Sequence, residues 1–193
     1  HGAAGEKTAS YEDRLTGGGC EKAARFVRFC DAFEIPILTL TQVSGFAATV
    51  EEEAGIAGAA AHLTQAFAEA TVPRVNLIVG QAYSSAVLVM NSKALGADLV
   101  YAWPKASIGV MEPEVDARVM YADEIDSAQD KARTLKDAAA RYAEMQASAQ
   151  AAAARGYVDQ IIPEESTRKY LVGAFEMLFT KRESRPVKKH GAV

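Results

Sequence analysis

Val75-Asn76-Leu77-Ile78-Val79, Gly80-Gln81-Ala82 and Tyr83-Ser84-Ser85-Ala86 stand in unbroken succession near the middle of the chain. The first five residues are mostly apolar without strict alternation, which predicts a strand buried on both faces. Gly80 to Ser85 reads as a tight loop, and Ala86 to Ser92 as a helical turn or more. A buried strand running into small residues and then a helix is the repeating unit of a sheet covered by helices.

The same unit occurs upstream. Ile35-Pro36-Ile37-Leu38-Thr39-Leu40-Thr41 is a β-prone run, Ser44-Gly45-Phe46 a loop, and 50–70 an alanine-rich helix opened by Glu51, Glu52 and Glu53. Before it, Ala23, Ala24, Phe26, Val27 and Phe29 fall largely at helical spacing and predict an amphipathic helix over 20–33. Residues 1–19 are polar and end in Gly17-Gly18-Gly19, so they read as a flexible lead-in. Downstream, Leu99–Trp103 and Ser107–Met111 are expected as strands, 114–124 as a short helix and 126–154 as a long one. Asp159 to Pro163 reads as extended, and a last helix over 164–180 is expected to be capped by the basic pair Lys181-Arg182. The pattern predicts an α/β fold with mostly parallel pairing.

Composition narrows the function classes. Of 193 residues, 49% are hydrophobic and 24% charged, as in an ordinary globular protein. Lys+Arg number 21 against Asp+Glu 25, a net charge of -4, so no basic excess is available for nucleic acid. No apolar run approaches the ~20 residues of a membrane helix, and His1 to Ser10, without a basic region and an apolar stretch, are not expected to be a signal peptide. Cys20 and Cys30 with His1, His62 and His190 lack metal-ligand spacing, so no metal is expected. Two such thiols suit a reducing cytoplasm.

No Gly-x-Ser-x-Gly elbow surrounds Ser44, Ser84, Ser85 or Ser107, and no phosphate loop is present. His62, inside an alanine-rich helix, reads as a packed or surface residue. Glu112 and Glu114 flank Pro113 and could do acid/base work, but acids opening a helix explain them too. What remains is main-chain chemistry. Small residues at Ser44-Gly45-Phe46 and Tyr83-Ser84-Ser85-Ala86 let a ligand approach backbone N–H groups that a helix start leaves without internal partners. Such groups can hold a developing oxyanion; simple capping by Ser84 or Ser85 is the plainer alternative.

Five strings, in order, resemble the biotin-dependent carboxyltransferases. They are Lys22-Ala23-Ala24-Arg25-Phe26-Val27-Arg28-Phe29-Cys30-Asp31-Ala32-Phe33 with Ile35-Pro36, and Ala68-Glu69-Ala70-Thr71-Val72-Pro73. Met90-Asn91-Ser92-Lys93 with Gly96 to Pro104 is the third, Ala152 to Asp159 the fourth, and Thr180-Lys181-Arg182 through Lys188-Lys189-His190-Gly191 the fifth. The resemblance covers nearly all of 20–193. It is to the C-terminal half of acyl-CoA carboxylase β subunits, and extends to the carboxyltransferase subunit of methylmalonyl-CoA or glutaconyl-CoA decarboxylases.

The resemblance implies a crotonase/ClpP-like superhelix of ββα units, with 20–193 as the biotin-side domain and the CoA-binding N-terminal domain absent. It implies carboxyl transfer between carboxybiotin and an acyl-CoA, with the Ser85 and Ala86 amides polarising the biotin carbonyl. Tyr83, Ser84, Gly45 and Phe46 would line the biotin site, and Leu88 would bear on acyl chain length. Ser84-Ser85 stand where the family has a glycine pair, Pro is lost before Gly45, and Glu112 to Val115 replaces a glycine-rich turn. Implied partners are a biotin carboxyl carrier protein, a biotin carboxylase or membrane decarboxylase subunits, the CoA-binding domain and further copies of the chain. Location would be cytoplasmic, or peripheral to a membrane through a partner. A non-catalytic assembly module, and a crotonase-type hydratase or isomerase using Glu112 or Glu114, are the rival readings.

Overall fold

A computed structural model describes residues 13–184. Residues 1–12 of the expected lead-in, and the tail from Arg185 with its part of the fifth string, lie outside the described residues.

The elements run β1 (Arg14–Leu15), α1 (Gly17–Ala32), β2 (Ile37–Val43), β3 (Gly45–Phe46), α2 (Val50–Glu53), α3 (Ile56–Glu69), β4 (Arg74–Tyr83) and α4 (Ser84–Val89). They continue with β5 (Leu99–Ala102), β6 (Ser107–Gly109), α5 (Pro113–Met120), α6 (Ala122–Ser127), α7 (Lys131–Gln146), α8 (Ala149–Ala154), β7 (Gln160–Ile161) and α9 (Thr167–Leu178). β2, β4, β5 and β7 lie side by side in that order, β6 joins β4, and every strand pairing is parallel. The expected α/β fold with parallel pairing is observed.

β4 is the axis of the molecule. Its first half sits between β2 and β5, with Val75 opposite Leu38 and Leu99, and Leu77 opposite Leu40 and Tyr101. Buried on both sides, it needs no polar alternation. α1 and α3 pack together over one core built from Cys20, Ala24, Val27, Cys30, Ile37, Leu63, Ala66 and Phe67. α9 lays Tyr170, Phe175 and Leu178 against Val75, Leu77 and Tyr101.

Several boundaries differ from expectation. The strand does not end at Val79; it runs to Tyr83, so Gly80 to Ser85 is not a loop. At Gly80 the strand changes neighbour, leaving β5 after Ile78 and joining β6 from Gln81. Against β2 the single residue Gln42 opposes Val79 to Gln81, a bulge. A Cβ on Gly80 would lie 3.1 Å from the Gln42 side chain, so a larger residue there would require that side chain to give way.

The lead-in is structured from Arg14. Arg14–Leu15 pairs with Gly45–Phe46, and Gly17 to Gly19 form the first turn of α1. Thr16 Oγ1 accepts the Gly19 N–H and Glu52 Oε2 accepts the Gly17 N–H, which compensates the poor helix propensity of three glycines.

Three expected helices are each two. The 50–70 helix breaks at Ala54-Gly55, and the 114–124 helix splits at Tyr121 into α5 and α6. The 126–154 helix breaks at Ala147-Ser148 because β6 reaches that point: Ile108 N–H donates to Ala147 O at 2.7 Å, and Ser148 Oγ caps the next helix at Ala151. The Ser107–Met111 strand stops at Gly109. Lys181, expected as a helix cap, instead reaches Asp98 at 3.0 Å and the Val72 carbonyl at 3.2 Å.

Candidate functional site

The two small-residue segments meet at the far end of β4. Ser44 follows β2 and Ser84 follows β4, and because those two strands are parallel both segments leave the sheet at the same end. A Cβ on Gly45, whose φ is +157°, would sit 3.6 Å from Ser84 Oγ. The sequence places these segments some forty residues apart, and only parallel pairing of β2 with β4 joins them.

The turn from β4 into α4 is held from beneath. The Tyr83 ring is 3% exposed and its hydroxyl donates to Ser107 Oγ at 2.7 Å, which donates on to Ala147 O at 3.3 Å. Tyr83 therefore anchors the turn from the core, and its side chain is not on offer to a ligand. The Ser84 N–H donates to Val110 O at 3.0 Å. Ser84 has φ +64°, a left-handed backbone that glycine adopts readily and serine adopts at a cost. Its Oγ accepts the Ala86 N–H at 3.2 Å.

Ser85 is exposed at this first turn, where N–H groups precede the first intrahelical bond. Ala86 is fully buried. Leu88 is 52% exposed, and Phe46 is half-buried on the neighbouring segment. Val110 and Met111 are exposed beside them and add to an apolar rim that sequence reasoning did not assign to the site. The signal for them is tertiary: Val110 is placed by its hydrogen bond to Ser84.

The other candidates separate from this site or serve the fold. Glu112 is the residue before α5, and Glu114 lies in its first turn, where acids complement the helix dipole. His62 Nδ1 meets Glu21 Oε1 at 2.5 Å, tying α3 to α1. Cys20 and Cys30 are buried free thiols; burial foremost pushes Cys20 up to about 11 and also raises Cys30, so neither is poised as a nucleophile. Among the described residues no group of three or more His, Cys, Asp or Glu could hold a metal, and no helix is long and apolar enough to cross a membrane.

Several residues of the recognisable strings join Arg74 in a polar brace at the opposite end of β4. Arg74 is fully buried, its guanidinium donating to Gly96 O at 2.7 Å and Leu95 O at 3.2 Å, and its N–H to Asp98 Oδ2 at 2.7 Å. Asn91, buried with φ +52°, donates to Thr39 Oγ1 and Val75 O. Asp159 accepts from the Val100 N–H and from Lys93, both at 2.8 Å. Asp31 accepts the Thr71 N–H at 2.7 Å.

The Carboxyl transferase domain family matches residues 14–193. A putative propionyl-CoA carboxylase beta chain of Bacillus subtilis is 49% identical over 180 residues, covering 93% of this chain and 36% of the relative. The methylmalonyl-CoA decarboxylase subunit alpha of Propionigenium modestum is 44% identical over 174 residues, covering 90% and 34%. Among solved structures, a transcarboxylase 12S hexamer with methylmalonyl-CoA and methylmalonic acid bound superposes with a TM-score of 0.87 at 41% identity, covering 92% of this chain and 34% of that one. The chain thus spans about a third of the length of these relatives. With nearly its whole described length matched in sequence and in fold, the chain belongs to the carboxyl transferase domain family, of crotonase-like architecture.

Proposed function

We propose that this chain supplies the biotin-side half of a carboxyltransferase that moves a carboxyl group between carboxybiotin and an acyl-CoA. The observation that carries the reading is the meeting of Gly45 with the Ser84–Ala86 turn, at which Ser85 is an exposed residue. A urea carbonyl needs hydrogen-bond donors where its oxygen gains charge, and room for a flat bicycle beside them. Ser85 N–H supplies a donor, Ala86 N–H a second once its serine acceptor is displaced, and Gly45 leaves the space. Phe46 and Leu88 offer apolar walls.

Carboxybiotin, presented by a carrier protein, supplies the carboxyl group on a urea nitrogen. The chain's own residues bind and polarise the ureido oxygen. One preorganised donor of this kind stabilises a transition state by about 3–4 kcal/mol, with no metal and no protein nucleophile required for that polarisation. The acyl-CoA half of the chemistry belongs to a CoA-binding domain, and the relatives' names support propionyl- or methylmalonyl-CoA as the substrate class. Further copies of the chain, a carrier protein and a biotin carboxylase or membrane decarboxylase subunits are the proposed partners.

The test uses the longest native form of the gene product, supplied with biocytin and malonyl-, methylmalonyl- or glutaconyl-CoA. Biocytin-dependent loss of one carboxylated thioester is the expected result and names the acyl group. Absence of turnover with all three, in folded protein, overturns the reading. The Ala86 amide already held by Ser84 Oγ is the one observation favouring a non-catalytic assembly module. Such a module gives no amide shift at 83–88 with biocytin. The hydratase or isomerase reading lacks comparable support, because Glu112 and Glu114 are exposed helix-start acids.

A further inference from the structure

We infer that the outer edge of β2 is a strand-addition site, which takes an uncharged, apolar, extended segment of a partner polypeptide. β2 stands at the end of the strand order, and among the described residues it pairs with β4 alone. The Ile37 N–H donates to Pro73 O at 2.8 Å, so Ile37, Thr39 and Thr41 direct their main-chain groups at β4. Leu38 and Leu40, between them, direct theirs outward, where no partner stands among the described residues. The same two residues are 40% and 54% exposed. Leu38 is opposite Val75 and Leu40 opposite Leu77, on the sheet face that α9 covers, and that cover stops short of β2.

An open edge is a template for another chain, and proteins that leave one unpaired blunt it with charges, proline or a bulge. Ile37 to Thr41 has no charge and no proline, and the bulge comes only at Gln42. Exposed Phe33 and Ile35 extend the apolar character back along the chain. Further along the same edge a strand is already in place: Arg14–Leu15 pairs with Gly45–Phe46, and Asp13 O accepts the Ser44 N–H at 2.6 Å. The edge is thus filled from Ser44 onward and open at Leu38 and Leu40.

In strand addition the main chain supplies affinity and alternate side chains supply specificity. An uncharged edge flanked by leucines selects a strand that is itself uncharged and apolar. Residues 1–12 do not match that chemistry, since they carry Glu6, Lys7 and Glu12 and no Val, Ile, Leu, Met or Phe. A second copy does not match the space: two-fold pairing of β2 with itself is antiparallel. Full pairing would carry the copy's Pro36 and Ile35 onto Asp13 and Arg14. About two thirds of each matched relative lies outside the residues this chain covers, so a carboxyltransferase assembly contains further polypeptide to supply the strand. The edge and its partner are independent of the biotin-side reading, so a failure of either leaves the other standing.

Hydrogen exchange of the isotope-labelled full chain tests the site. The probe is a soluble synthetic peptide of alternating valine and threonine with a lysine at each end. In the free chain the Leu38 and Leu40 amides exchange at least about tenfold faster than those of Thr39 and Thr41. Peptide at about ten times its Kd slows Leu38 and Leu40 about tenfold and leaves Thr39 and Thr41 unchanged. Leu40→Lys weakens peptide binding at least about tenfold, with unchanged Thr39 and Thr41 exchange as the fold control. A peptide that protects neither leucine overturns the inference. So does protection of Leu38 and Leu40 in the free chain. Growth of that protection with protein concentration then identifies a second copy as the occupant, and its loss on deleting residues 1–12 identifies the chain itself.

Discussion

At the start of β4 the Arg74 side chain is enclosed by the Leu95 and Gly96 carbonyls and by Asn91, while its amide rests on Asp98, which also holds Lys181. At the end of the same strand, Ser84 to Ala86 present main-chain groups, an exposed serine and an apolar rim. The first region uses long polar side chains to satisfy one another across four segments of chain. The second uses short ones, so that little stands between the backbone and a visitor. Buried polar groups are costly unless fully paired, so the first region tolerates almost no substitution in physical terms. A backbone site depends on conformation and space, so side chains there can vary as long as the turn persists.

The largest test of that contrast is Arg74→Met. It leaves the Leu95 and Gly96 carbonyls and Asn91 Oδ1 short of a buried donor, and we expect a loss of about 3–5 kcal/mol in urea unfolding. A loss below about 1 kcal/mol would break the comparison. Lys181→Met removes a cation that is only 12% exposed and lies 3.0 Å from Asp98. The expected loss is about 1–2 kcal/mol, because Asp98 keeps the Arg74 amide.

Asp116 sharpens the comparison from the site end. It lies at 6% exposure on α5, just beyond the Val110 turn, with Oδ2 unpartnered. Its hydrogen bond with the Tyr142 hydroxyl, together with burial as the larger cause, holds the Tyr142 phenol above its usual range. Tyr142 is half-buried and can turn to water. Asp116→Ala is therefore expected to raise stability by about 1 kcal/mol, seen as a higher urea midpoint at unchanged slope. Ser85→Ala is the smallest: an exposed side chain is lost and the amide kept, so the unfolding free energy should change by under about 0.5 kcal/mol. A drop comparable with Lys181→Met would show that the turn leans on side chains after all.

Much of the fold was legible because buried parallel strands leave continuous apolar runs such as Val75 to Val79, and because α1, α3 and α9 carry helical periodicity. The legible strings were a guide to family for a reason the brace makes clear. Asn91, Asp98, Asp159 and Lys181 lie in those strings and are tied, with Arg74, into one set of hydrogen bonds and ion pairs, so their spacing is restrictive. The candidate site was legible only as two small-residue segments. Nothing local in Ser44-Gly45-Phe46 states that it faces Ser84, or that Val110 supplies the carbonyl beneath the turn.

By itself the sequence determined the α/β alternation, the buried strand, the lack of any nucleophile motif or phosphate loop, and the family to which the chain is similar. Tertiary structure decided where continuous helical patterns break, as at Ala147-Ser148, because a strand arriving from elsewhere claims the Ala147 carbonyl. It also decided that β4 runs on to Tyr83, because β6 offers its edge a new partner beyond the Gly80 bulge. Local propensity sees only neighbours along the chain, whereas hydrogen-bond satisfaction is settled between segments that meet only after folding.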